Sequence, residues 1–134
     1  MVTQNQASFD HVSRALAAQG RPSFAEDTAE GTCLYRGPNG LRCAAGHSFE
    51  GIVGVDFMED KYCTESRIAA LLNAAGHNPL FVREMQRIHD DCARLAGGES
   101  SLWLHQWARG MRRLAGREGL STVVLDAALR ARED

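Results

Sequence analysis

The sequence predicts a mostly α-helical α+β domain, about five helices packed with one β-hairpin, and three observations predict it. Apolar residues recur every three or four positions in two long stripes, Phe81-Met85-Ile88-Cys92-Leu95 and Leu104-Trp107-Met111-Leu114, the spacing of one face of an α-helix. Between the short runs Cys33-Leu34-Tyr35-Arg36 and Leu41-Arg42-Cys43-Ala44 stands Gly37-Pro38-Asn39-Gly40. Proline there presets a turn φ, and asparagine and glycine accept the positive φ of a tight reversal, so Cys33–Arg36 and Leu41–Ala44 read as the arms of a hairpin. At 134 residues, the chain has length for a single core.

Taken in order, Ser8 to Gln19 reads as a helix with Ser8 as N-cap, Phe9, Val12, Ala15 and Leu16 on one face, and Gly20 as the stop. A polar connection from Arg21-Pro22 through Glu30 leads to the hairpin. His47 to Tyr62 carries apolar residues broken by Gly51 and Gly54, and reads as a loop with one short strand or turn. Thr64 is the expected cap of a helix lined by Ile68, Leu71, Leu72 and Ala75 and closed by Gly76. Asn78-Pro79 is a start signal, a cap residue followed by proline at the first helical position, for a helix running to about Ala96. After Gly97-Gly98, Ser100 or Ser101 opens the next helix, with Trp107 in its core stripe, Trp103 at the edge and Gly119 at its end. Ser121 or Thr122 opens a last helix with Val124, Leu125, Ala128 and Leu129 on its buried face. Residues 1–7 and 131–134 are expected to fray.

The composition, 44% apolar and 24% charged, is that of a soluble globular chain. No apolar run has the length of a membrane span, and Met1 to Gln6 is polar, so the cytoplasm is the expected compartment. The four cysteines, at 33, 43, 63 and 92, are too few and too spread for a disulfide scaffold. The net charge of −2 gives no overall pull toward nucleic acid, but residues 1–60 carry eight acids and four bases, and 61–134 nine acids and eleven bases.

The pattern Cys33-x-Tyr35-Arg36-x-x-x-Gly40-x-x-Cys43-Ala44-x-Gly46 resembles a group of small bacteriophage and prophage proteins. Met85-Gln86-Arg87-Ile88-His89-Asp90, Trp107 and Glu118-Gly119-Leu120 are also similar to that group. Where its members continue with Cys-Leu-Ile-Pro, this chain has His47-Ser48-Phe49-Glu50. The resemblance implies a phage or prophage origin, hence a bacterial host cell, and carries no activity.

Three constellations bear on chemistry. The thiols of Cys33 and Cys43 with the imidazole of His47, and His89 or Cys92 as a fourth ligand, would suit zinc, although no C-x-x-C is present. The competing reading makes the cysteines small buried residues. Cys43 with His89-Asp90 would make a cysteine hydrolase, but neighbouring helical side chains diverge by about 100°, which places Asp90 poorly for orienting His89. Thirdly, His105, Arg109, Arg112, Arg113 and Arg117 cluster along one side of a helix, a face suited to phosphates or an acidic protein surface. The chain's single lysine, Lys61, stands outside any glycine-rich loop, which argues against nucleotide hydrolysis.

The expected function is therefore a non-enzymatic phage accessory protein that binds a host or phage macromolecule, such as a host defence or regulatory protein that it inhibits. A protein partner is expected, with no cofactor and no membrane. The expected contacts are the hairpin tip, Arg36, Pro38, Asn39 and Arg42, and the arginine face. Nucleic-acid binding through Arg109–Arg117 is the alternative, and a zinc-stabilised module or a cysteine hydrolase on Cys33, Cys43, His47 and His89 is the remaining one.

Overall fold

The computed structural model describes residues 3–22, 47–48, 66–97 and 99–133. These form five long helices, α1 (Gln4–Gln19), α2 (Ser66–Ala74), α3 (Pro79–Ala96), α4 (Ser100–Glu118) and α5 (Val123–Glu133). Among the described residues there is no strand, and the architecture is α-helical rather than α+β. The hairpin expected at Cys33–Arg36 and Leu41–Ala44 lies outside the described residues. Its assignment rested on turn chemistry, which marks a reversal of the chain but not the pairing of what flanks it. The core described here closes with helix faces alone. His47 and Ser48, expected in a loop, are helical and buried.

Each helix begins and ends for local reasons. Asn78 caps α3, its side chain accepting from the Leu80 amide at 3.0 Å with Pro79 in the first turn, as the sequence predicts. Gly97 and Gly119 end α3 and α4 in the left-handed region. α1 starts a turn earlier than its sequence suggests, because Thr3, not Ser8, is the N-cap and accepts from the Gln6 amide at 3.1 Å. Gln6 adds a tie that no local rule reveals: it donates to the Ser121 carbonyl and accepts from the Ser121 amide. Ser8 instead faces inward and is buried. α4 is preceded by Glu99, which makes no side-chain cap; Ser101 donates to the Glu99 carboxylate at 2.8 Å.

α3 and α4 form an antiparallel helical hairpin across a short connection, with His89 beside Trp103 and Glu84 beside Arg117. α1 and α5 pack in parallel. Gln6 meets Ser121 at one end, and at the other Arg132 donates to the Ala17 and Ala18 carbonyls at 3.1 and 3.0 Å. That guanidinium covers the end of α1, where Gly20 has φ +75°, and a Cβ at Gly20 would lie 2.5 Å from it. The core gathers Phe9, Val12 and Leu16 of α1, Leu72 of α2, Met85 of α3, Trp107 and Met111 of α4 and Leu125 of α5, all fully buried.

Two details correct the apolar stripes. Trp103, expected at an edge, is fully buried and stacks on Trp107 at 5.4 Å. Leu95 is 72% exposed, and Ala96 takes the buried position at the end of α3. Ala96 lies about 20° from Met85 around the helix and Leu95 about 80°, so the stripe drifts off a strict three-four count.

Candidate functional site

The outer face of α4 is its longest run of exposed charge. His105, Arg109, Arg113 and Arg117 are spaced four apart and all are exposed, so they form one i±4n ridge that climbs about 6 Å and turns about 40° at each step. Two arginines are anchored on the flanks. Arg112 reaches α5, donating from Nε and Nη2 to Asp126 Oδ1 at 3.2 and 3.0 Å, and Thr122 Oγ1 donates to the other oxygen of that carboxylate. Arg117 reaches α3, 3.6 Å from Glu84. Between them Arg109 and Arg113 make no ion pair or side-chain hydrogen bond among the described residues. Leu102, 40% exposed, lies within about 20° of both around the helix. α3 adds exposed Arg83, Arg87 and Arg94, of which Arg94 pairs with Asp91 at 3.3 Å.

The hairpin-tip residues Arg36, Pro38, Asn39 and Arg42 lie outside the described residues, as do Cys33 and Cys43. Of the remaining candidate zinc ligands, His47 Nε2 donates to Gln19 Oε1 at 3.0 Å while its carbonyl accepts from His11 Nε2. His89 donates from Nδ1 to Asp90 Oδ1 at 3.0 Å. Cys92 is buried, and burial, helped by the Asp91 charge, raises its thiol pKa, which keeps it protonated and unreactive. Among the described residues, no three side chains of metal-ligating type gather into a site.

The geometry of His89 corrects the expectation that its neighbour cannot orient it. The side chains leave the helix in different directions, yet the Asp90 carboxylate swings back to the ring, held by Gln86 Nε2 at 2.6 Å. The ring is fully buried, edge-on to Trp103 at 5.6 Å, and the Trp103 indole donates to the His89 carbonyl at 3.3 Å. The contacts between His89 and Trp103 therefore fasten α3 to α4, with the ring inside the core.

A further polar cluster escapes sequence reasoning. Ser8 Oγ and His77 Nδ1 share a hydrogen bond of 2.6 Å, joining residues far apart in sequence. Burial, and to a lesser degree the nearby His11, lowers the pKa of His77. Ser8 is 1% exposed, so the pair clasps α1 to the turn before α3 rather than presenting a nucleophile.

An open pocket of about 640 Å³ lies between the start of α1 and the end of α4, lined by Asn5, Gln6, Asp10, Asn78 and Glu118 among others. Among the described residues no basic side chain lines it, and Asp10 is engaged by Gln6 at 2.9 Å. No described helix is long and apolar enough to cross a membrane.

Comparison with protein-family models, with curated proteins and with solved structures gives no match for this chain.

Proposed function

We propose that this protein is a non-enzymatic accessory protein of phage or prophage origin that acts by binding an acidic protein partner through the arginine ridge of α4. The supporting observation is the pair Arg109 and Arg113, exposed and unpaired among the described residues at the centre of the ridge, while Arg112 and Arg117 are tied down on either side. Arginine is enriched at interface centres. Asp126 and Glu84 engage Arg112 and Arg117, leaving few cations on the ridge for the row of contacts that a phosphate backbone requires. Both tryptophans are buried in the core, leaving neither for base stacking. The phage origin rests on the resemblance at Cys33–Gly46.

Affinity capture from bacterial lysate tests the reading, with the unmodified protein beside Arg109→Glu/Arg113→Glu. The expected result is a captured protein lost on charge reversal, with no duplex DNA shifted at physiological salt. Capture unchanged by the double substitution contradicts the reading. A DNA shift that weakens steeply with salt transfers the ridge to nucleic acid.

A further inference from the structure

We draw no further inference here: the strongest candidate, the open pocket between the start of α1 and the end of α4 with the carboxylates of Asp10 and Glu118 in its lining, carries nothing, because it is an acidic cluster beside helix ends and among the described residues no second feature points to a ligand.

Discussion

At the scale of single residues, two glycines on one helix make opposite demands. Gly110→Ala places a methyl against the branched and stiff Ile88 side chain and is expected to destabilise the fold by roughly 1–3 kcal/mol. Gly116→Ala meets open space and is expected to stabilise by up to about 1 kcal/mol. Urea denaturation of the two variants checks the sign of each. His77 makes a pH-dependent contribution. Its folded pKa lies below the ordinary 6.5, so as pH falls the unfolded chain takes up the proton first. The associated stability is complete above the unfolded value and is lost as pH drops through it toward the folded one. Melting curves at about pH 7.5 and about pH 5.5 are expected to show acid destabilisation that His77→Gln reduces; an unchanged pH dependence in that variant contradicts the role of the clasp. None of these pairings was legible in the sequence. Ser8 meets His77 only once the chain has folded, and its place before an apolar run made it resemble a cap. Which arginines lack a carboxylate partner among the described residues was equally hidden, because the anchoring carboxylates, Glu84 and Asp126, come from other helices.

At the scale of elements, the helices themselves were legible wherever punctuation and period agreed. Asn78-Pro79, Gly97 and Gly119 act where the sequence places them, and the stripe from Trp107 to Leu114 is buried. Errors arose where an element's surroundings decide. Leu95 obeys the local count but lies exposed at the end of α3, and Trp103 becomes central because α3 packs over it with His89 against its ring. Trp103→Ala removes the stack on Trp107 and the contact with His89 and is expected to cost about 3–5 kcal/mol, read as a lowered denaturation midpoint. Arg132→Ala removes two hydrogen bonds from the end of α1 and is expected to cost roughly 1 kcal/mol, discounted for the exposure of that side chain. Amide hydrogen exchange should then accelerate in the last turn of α1.

At the scale of the whole molecule, α1 and α5 bring the two described ends of the chain together, while the α3–α4 hairpin turns an arginine ridge outward. On the proposed function, an acidic chain with a concentrated basic ridge on one helix favours directional electrostatic capture over general attraction to polyanions. The ridge itself was legible in the sequence, since four-residue spacing places His105, Arg109, Arg113 and Arg117 on one side of any helix. The proposed role rests on the central pair Arg109 and Arg113, which have no carboxylate partner among the described residues while Arg112 and Arg117 do, and that distinction needed the packed structure. The most direct measurement of the proposed function is amide chemical-shift mapping of the labelled protein during titration with an acidic peptide. The expected result is saturable shifts confined to the outer face of α4, centred on Arg109 and Arg113. Shifts centred instead on the pocket between α1 and the end of α4, or none on α4 at saturation, would contradict it.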